Sequence, residues 1–565
     1  MARNTYIWIA LLSFGLGCQG EIGPGARSSG EEIERQREVR EPNRPNASCA
    51  LDVGVTEIRR LSHEQYNHTI RDLFGGNLGE ALVIRSTFPE TIIEEGFVND
   101  GFANTVNESE SNAIEDNAAA LAAFLMNDVD GNLPTLMGCV APPVDDAQID
   151  VCIDEFIPRF GSRAFRRPLA DEERALIRDL YDGNRSAGAR MAIWAVLEYL
   201  FQAPQLIYQI ERGAARVAGS DRLVELSDHE LATRLSYLLW NSTPDDALLQ
   251  AANEGRLRSP AGLEEEARRM VADPRVFDSL AVFHRDYGRS YRLQRTPVDD
   301  PAFTDEVRDA LVQEGRLNLE AAAARDALTI GEIFTNRRYV IHPALADIYG
   351  VAPSSEPQEV ELQNRRGFLG QASVLATIGA EGQKNRTVMR GLFVLEDVLC
   401  QSAGVFPDNL AVSEAIEAAS GGATARDRLQ PTVDQASCAG CHQQINPGGF
   451  ALENFDALGR FRTEENGAPI DASGSFALEG ADGSFANGTE FLEFIGQSSR
   501  ARECYVENFF HFAAGRAAAE ADACALDQLK SAATDSTDLR ELLVQFALSD
   551  AFRFRPLVDA APSDV

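Results

Sequence analysis

Apolar residues recur at helical spacing through most of this chain. Ser62 and Gln65 have the spacing of a capping box, which predicts a helix continuing through Ile70. Ser227 and Glu230 have the same capping-box spacing and precede a second amphipathic segment. Further helical patterns occupy 171–182, 190–201, 263–271, 281–286, 305–325, 388–400 and 538–549. The pattern therefore predicts a mainly α fold.

Strand patterns are sparse along the chain. The best candidate covers 469–485, where Gly474, Gly480 and Gly483 mark turns between short runs of residues. We therefore expect a small β-hairpin element near 469–487 in an otherwise helical protein.

The first twenty residues resemble an export signal. Arg3 supplies the positive charge, and 6–16 form an apolar stretch too short to span a bilayer. The residues Gly-Leu-Gly-Cys at 15–18 resemble a lipoprotein processing box, with Gly where Leu is usual. We expect a signal peptide at 1–18, lipidation of Cys18, and a flexible tether at 19–50. The protein is thus expected to be exported to the periplasm, outer membrane or cell surface.

The charge of the chain excludes one class of partner. The 565 residues carry a formal net charge of −35, so a nucleic acid backbone would be repelled. Simple adsorption to an anionic membrane is disfavoured for the same reason. The apolar stretch 191–210 contains Glu198, Gln202 and Pro204, which favours a buried helix over a membrane span. We expect contact with a membrane only through the lipid anchor.

A Cys-x-x-Cys-His motif stands in the stretch SCAGCHQQINP at 437–447. This spacing places two thiols to form thioethers with the vinyl groups of haem, and an imidazole to reach its iron. The motif predicts Cys438 and Cys441 as attachment points, His442 as the iron ligand, and covalent haem c as the cofactor. With nine Cys and seven His in the chain, a chance occurrence would be rare.

Three other interpretations of the motif stay open. Cys438 and Cys441 would also suit a redox dithiol, but the chain lacks the βαβ pattern on which such dithiols usually lie. They would also suit zinc, but no second Cys/His pair has zinc-ribbon spacing. A plain structural disulfide is the third alternative.

A sixth iron ligand is harder to assign. His511 is the only histidine after His442 and is a candidate, the alternative being a histidine packed on a helix face. Six-coordinate iron would favour electron transfer, and an open position would favour chemistry with oxygen or peroxide. Other candidates are Met389, His63, His68, His229, His284 and His342.

Apolar and basic residues follow the motif. Pro447 and Phe450 would wall a haem, and Arg460 and Arg462 would pair with its propionates. The alternative is an amphipathic helix end whose apolar side chains belong to the core. Those side chains are Phe450, Leu452, Phe455 and Leu458.

Six cysteines remain once Cys18 and the motif are set aside. An even number in an exported chain suggests disulfides. Short spacing favours Cys139 with Cys152 and Cys504 with Cys524, which leaves Cys49 with Cys400 by elimination. Buried free thiols are the alternative for each pair.

Blocks in a fixed order along the chain carry a family resemblance. They are RRLSHEQYNHTIRDLFG (59–75), FGSRAFRRPLADEE (160–173), LEYLFQAPQLIYQIE (197–211), LSDHELATRLSYLLWNSTPDDALLQAANEGRL (226–257), RRGFLGQASVLA (365–376), CAGCHQQINPGGFALENFDALGRFR (438–462) and AAGR…ALSDAFRFR (513–555). Together they resemble the planctomycete-type cytochrome c group, large exported proteins that combine several domains of unknown function. This chain departs from the usual pattern at 446–448, where Asn-Pro-Gly replaces Asp-Pro-Leu, and at 389–391, where Met precedes Arg-Gly. Neither departure touches the haem-attachment residues.

The resemblance implies a multi-domain helical protein whose group has a largely undefined biochemical role. The expected helical domains are 51–130, 140–212, 220–350, a motif-containing domain at 360–465, and 466–565.

Two functions follow from these observations. The first is an exported, lipid-anchored c-type haem protein that serves electron transfer or a haem redox reaction, with a redox partner protein or an extracellular substrate. The second is a disulfide-braced surface scaffold without haem, which binds a polysaccharide or a partner protein. The sequence does not decide whether the chain is an enzyme.

Overall fold

Helices joined by tight turns make up most of the described chain. The computed structural model describes residues 51–83, 88, 96–101, 104, 106–295, 298–381, 384–404 and 421–557. The described residues are mainly helical, and their strands occur in short antiparallel pairings, which confirms the predicted fold class. The expected signal peptide, the tether, Cys18 and Cys49 lie outside these residues.

Helices of the N-terminal part pack around a core of their own. They are α1 (His63–Phe74), α2 (Gly76–Val83), α3 (Glu108–Asn127), α4 (Val129–Met137), α5 (Asp146–Ala164), α6 (Asp171–Asn184), α7 (Ala189–Gln202) and α8 (Pro204–Ile207). The predicted capping box begins α1, since Ser62 Oγ accepts from the Gln65 N–H and the Gln65 side chain accepts from the Ser62 N–H. Leu121, Phe156 and Phe201 are fully buried in this core. Of these three residues, Phe201 lies in a segment that the sequence pattern predicted as helical, 190–201, whereas the helices of Leu121 and Phe156 were not predicted.

Helices of the central and C-terminal parts share a second, larger core. The central helices are α9 (Asp228–Trp240), α10 (Asp246–Asn253), α11 (Pro260–Val271), α12 (Val276–Tyr287), α13 (Asp305–Ala324), α14 (Ile330–Thr335) and α15 (Ala346–Tyr349). The C-terminal helices are α16 (Ala372–Gly379), α17 (Thr387–Phe393), α18 (Ala425–Val433), α19 (Ala436–Ala451), α20 (Gly488–Gln497), α21 (Ser499–Ala514), α22 (Ala523–Ala532), α23 (Leu539–Leu548) and α24 (Asp550–Arg553). The second predicted capping box, between Ser227 and Glu230, begins α9. Trp240, Phe283 and Phe509 lie deep in the shared core.

Short antiparallel strands connect distant segments. In chain order they are β1 (Arg59–Arg60), β2 (Tyr208–Gln209), β3 (Ala215–Arg216), β4 (Leu223–Glu225), β5 (Arg338–Ile341), β6 (Gln358–Glu361), β7 (Ala380–Glu381), β8 (Lys384–Asn385), β9 (Glu464–Glu465), β10 (Ala468–Pro469), β11 (Gly474–Leu478), β12 (Ala481–Phe485) and β13 (Phe554–Pro556). β1 pairs with β2, β5 with β6, β7 with β8 and β9 with β10, while β4 lies between β3 and β13. β11 pairs with β12 in register Gly474 to Phe485, which confirms the predicted hairpin.

Short 3₁₀ turns and a π-helical turn complete the fold. They are the 3₁₀ turns Arg185–Ala187, Ser290–Gln294, Pro343–Leu345, Phe368–Gly370, Leu452–Asn454 and Glu520–Asp522, and the π-helical turn Val394–Val398 that continues α17. Contacts group 51–565 into one compact unit, and the domain boundaries proposed inside it stay a prediction. Among the described residues, none of the helices combines the length and the apolar content needed to cross a bilayer.

Candidate cofactor site around Cys438, Cys441 and His442

The three motif residues lie on one helix, α19. Cys441 and His442 follow Cys438 by three and four positions, so all three side chains lie on adjacent turns of the same helical face. The two thiol side chains are partly exposed, whereas His442 is 9% exposed. Cys441 also packs against the large core. The motif thus presents two partly exposed cysteines beside a largely buried histidine.

The orientation of His442 is set by a residue one turn further along α19. His442 Nδ1 lies 3.0 Å from Asn446 Oδ1. Because an amide oxygen only accepts, Nδ1 carries the proton and Nε2 keeps its lone pair. The structure gives Nε2 no hydrogen-bond partner among the described residues. This is the tautomer that an imidazole needs to bind a metal ion.

Asn446 itself is buried more deeply than the histidine. Its side chain is 3% exposed, and its Nδ2 atom makes no hydrogen bond within the described chain. A buried amide with one unsatisfied group costs stability, of the order of 1–3 kcal/mol. Asn446 therefore makes its hydrogen bond with His442 while its unsatisfied Nδ2 group lowers the stability of the fold.

Glycines allow α17 to approach the motif helix closely. A Cβ atom on Gly391 would overlap the backbone oxygen of Ile445, and one on Gly449 would overlap the backbone oxygen of Thr387. A Cβ atom on Gly448 would lie 3.1 Å from the Val394 side chain. No side chain fits between the two backbones here, so this packing fixes the position of α19.

A buried arginine holds the chain that leaves α19. Arg390 is fully buried, and its guanidinium donates to the backbone oxygens of Leu375, Leu452, Phe455 and Asp456 at 2.7–3.1 Å. Burial lowers the pKa of Arg390 to about 10, which still leaves it charged at neutral pH. The planar fork of donors binds four carbonyl groups at once. Arg390 comes directly after Met389, where the sequence departs from the family pattern. The departure does not change Arg390 itself, so its hydrogen bonds to the four carbonyl groups are kept.

The two arginines after the motif are already paired with carboxylates. Arg460 donates to Asp300 at 2.7 Å and to Asp456 at 3.1 Å, and Arg462 donates to Glu453 at 2.6 Å. Because both arginines already have carboxylate partners, the structure does not support their predicted pairing with haem propionates. It favours the alternative, in which this segment is the end of an amphipathic helix. Its predicted core residues are buried as that alternative requires: Phe450, Leu452, Phe455 and Leu458.

His511, the candidate sixth ligand, is engaged elsewhere. It lies on α21, where its Nε2 atom is 2.7 Å from Asp100 Oδ2. Its ring also meets Phe97 edge-on, with centroids 5.1 Å apart. Within the described residues, no contact connects His511 with His442. The structure therefore places His511 in the role of a packed histidine that is hydrogen-bonded to a carboxylate.

Two disulfides are present among the described cysteines, and one was predicted. Cys139 and Cys152 are joined as expected. Cys504 is joined to Cys400, with Cα atoms 5.4 Å apart, so the predicted pairs Cys504–Cys524 and Cys49–Cys400 are wrong. The reason is packing, because the turn before Cys400 lies against α21 and brings together residues 104 positions apart. Cys524 is also disulfide-bonded.

The motif residues fit covalent haem. The Cys438 and Cys441 thiols are not joined in a disulfide, so each could form a thioether bond. The Nε2 atom of His442 would supply the iron-binding nitrogen. In the part of the chain that the structure describes, no group of three or more His, Cys, Asp or Glu side chains is arranged to hold a metal ion, so zinc has no ligand set here.

Sequence reasoning missed the role of Asn446, although a signal was present. A polar residue four positions after His442 lies on the same face as the imidazole wherever the segment is helical. The closely packed Gly391 had no such signal, because it depends on a helix from another segment of the chain.

Five family profiles match successive parts of the chain. Each is described as a protein of unknown function: DUF1587 at 59–126, DUF1595 at 152–211, DUF1592 at 226–351, DUF1588 at 365–465 and DUF1585 at 482–552. The match at 365–465 contains the motif, Asn446 and Gly391. Neither a search of curated proteins nor a search of solved structures found a match.

Proposed function

Because the chain belongs to the planctomycete cytochrome c-type group, whose five domains it carries in fixed order, we propose that it is a c-type haem protein of the cell envelope. Its role is electron transfer or a haem redox reaction. The observation that carries this proposal is the arrangement on α19. Two unlinked thiols lie within one turn of an imidazole whose Nδ1 proton is held by Asn446 and whose Nε2 is free to bind.

Each residue of the motif has a separate task. Cys438 and Cys441 would each add an S–H bond across one vinyl group, forming two thioethers without loss of any atom. His442 would bind iron through Nε2, and Asn446 would keep the ring in this orientation by holding the Nδ1 proton. Haem, when bound, supplies one-electron redox chemistry.

The contacts around α19 support a rigid site. α17 packs against the helix through glycine, and Arg390 fastens the segment that follows it. An electron-transfer site benefits from such rigidity, because a fixed ligand orientation limits the reorganisation that accompanies a change of charge.

We propose that the protein is exported and anchored through lipid on Cys18. The N-terminal sequence supports this location, and the two disulfides agree with an oxidising compartment. The partner is then a redox protein or an extracellular substrate. Membrane fractionation of the wild type and of Cys18→Ser tests the anchor, since loss of the thiol should release the protein into the soluble fraction.

The haem assignment is tested by producing the full chain in a host with the cytochrome c maturation factors. A pyridine haemochrome spectrum should show the band of two thioethers in the wild type and in Gln443→Ala, whose side chain is exposed on the same helix. That band should be lost in Cys438→Ala and in Cys441→Ala. A wild-type protein without haem would contradict the proposal and leave the disulfide-braced scaffold as the remaining function.

A further inference from the structure

A cavity of about 200 Å³ lies between helices from separate segments of the chain. It is bounded by α1, α12, α13, α14 and the segment 367–374, so three of the matched regions contribute to its wall. None of the motif residues lines it. The volume is below the range of ~300–1,000 Å³ typical of drug-sized ligands, so an occupant would be small.

Two arginines form the polar side of the cavity. Arg285 donates to Glu64 Oε2 at 2.7 Å and to Asp286 Oδ1 at 2.9 Å. Arg316 donates to Asp278 and, at 2.8 Å, to Glu320. Each guanidinium therefore has two carboxylate partners that hold it in position.

Hydrogen-bonding groups remain unused on this polar side. Among the described residues, Nη2 of Arg285, Nη2 of Arg316 and Oε1 of Glu64 make no hydrogen bond, and none of these atoms is sealed from solvent. The side chains of Gln371 and Glu332 also line the cavity without a hydrogen-bond partner there. The wall thus offers donors and acceptors together.

The charges of the wall argue against a charged ligand. An anion would meet the carboxylates of Glu64, Asp278 and Glu332, and a cation would meet the two arginines. Both arginines are already neutralised by their partners. A neutral ligand avoids either conflict.

Apolar residues also line the cavity. Val282, Leu319, Ile333, Phe368 and Val374 contribute side chains to it. A ligand would therefore need an apolar face as well as polar groups on its edge.

From these features we infer that the cavity binds a small, neutral, polyhydroxylated molecule of about the size of one sugar ring. A hydroxyl group is the simplest group that accepts from guanidinium and donates to carboxylate at once. The C–H faces of a sugar ring would pack on the apolar residues. This inference is independent of haem, because no residue of the motif takes part.

Titration calorimetry of the purified full chain with methyl glycosides of several hexoses tests the inference. We expect at least one of them to bind, and glucuronate and glucosamine to bind more weakly. Gly315→Leu should abolish binding, because Gly315 lines the cavity and a Cβ atom there meets no atom within 4 Å, which leaves room for the larger side chain to enter the cavity. Gly183→Leu is the matched control, since it too has open space around it but lies on α6.

A second variant separates the chemistry from the shape. Arg316→Met keeps an unbranched stem like that of arginine and removes its donors, so affinity should fall about tenfold or more. Arg268→Met, an exposed arginine with two carboxylate partners, should leave binding unchanged. Absence of binding by every neutral glycoside, preference for a charged sugar, or wild-type affinity in Gly315→Leu would overturn the inference.

Discussion

The Nδ1 atom of His442 and the Oδ1 atom of Asn446 lie 3.0 Å apart on successive turns of α19. This contact selects one tautomer of the imidazole and leaves its Nε2 atom for a ligand. The family pattern that this sequence resembles has Asp at the position of Asn446, and a carboxylate would draw the Nδ1 proton more strongly than a neutral amide. With Asn446, His442 would donate electrons to a bound metal more weakly than it would beside an aspartate.

Substitution of Asn446 should change the tautomer of His442 without loss of the fold. In Asn446→Leu the imidazole loses its acceptor, so ¹⁵N NMR of the haem-free protein should show a mixture of the two neutral tautomers instead of one. Gln443→Leu, exposed on the same helix, should keep the wild-type spectrum. An unchanged tautomer in Asn446→Leu would contradict the positioning role.

The same residue should set the redox potential of the loaded protein. Asn446→Asp keeps the acceptor and adds negative charge, which stabilises oxidised iron, so the midpoint potential should fall relative to wild type. The comparison is made by optical redox titration of both proteins with full haem content. An equal or higher potential in Asn446→Asp would show that the contact does not tune the ligand.

The close contact between α17 and α19 predicts opposite effects for two glycine substitutions. Gly391→Ala places a Cβ atom on the Ile445 backbone oxygen and should destabilise the protein by about 1–3 kcal/mol. Gly440→Ala lies inside the motif but meets no atom within 4 Å, and better helix propensity should stabilise it by about 0.5–1 kcal/mol. Thermal unfolding of both variants checks the prediction, and equal midpoints would contradict it.

The two described disulfides should contribute unequally to stability. Cys400–Cys504 closes a loop of 104 residues and Cys139–Cys152 a loop of 13. Chain entropy then assigns about 4–5 kcal/mol to the long loop and about 3 kcal/mol to the short one. The double serine variant of each pair should lower the melting temperature, more so for Cys400 and Cys504. The reverse order would show that native-state effects outweigh loop entropy.

The buried His284 should make the protein less stable as the pH falls below 6.5. Its Nδ1 donates to the Leu280 backbone oxygen and its Nε2 accepts from the Tyr505 hydroxyl, while burial lowers its pKa from 6.5 to about 4. Between these values the unfolded chain binds the proton and the folded protein does not, so stability is lost at ~1.4 kcal/mol per pH unit, up to about 3 kcal/mol. Above pH 6.5 both states are neutral and this contribution is constant.

His284→Gln isolates this contribution from other titrating groups. An amide retains one donor and one acceptor but binds no proton in this range. The stability difference between wild type and variant, measured by urea unfolding, should shift in favour of the variant between pH 6.5 and pH 4. A difference that does not change with pH would show that His284 does not titrate as its burial requires.

Local patterns in the sequence predicted much of the fold. Ser62 with Gln65 and Ser227 with Glu230 begin helices where their capping boxes indicated, because a cap depends on residues within one turn. The hairpin β11–β12 was predictable for the same reason, since Gly480 lies at its turn, although Gly474 and Gly483, also predicted at turns, lie within the strands. These features need no knowledge of the rest of the chain.

Features that depend on packing between distant segments were not predictable in the same way. Cys504 pairs with Cys400 because the turn 394–398 lies on α21, and spacing along the chain carries no information on that contact. Arg460 donates to Asp300, which belongs to a distant segment, so this partner could not be predicted from the sequence either. Asn446 lies between these cases, since its spacing from His442 was visible but its burial was not.

The most direct test of the central claim is a mass spectrum of the peptide that contains Cys438, Cys441 and His442. The protein would be made as the full chain with haem maturation factors and digested without reduction. We predict a single haem-sized mass increment on this peptide, with the haem bonded to both cysteines. The peptide from Cys441→Ala should not contain this doubly linked haem. An unmodified peptide, with its two thiols free or joined to each other, would contradict haem attachment at this site.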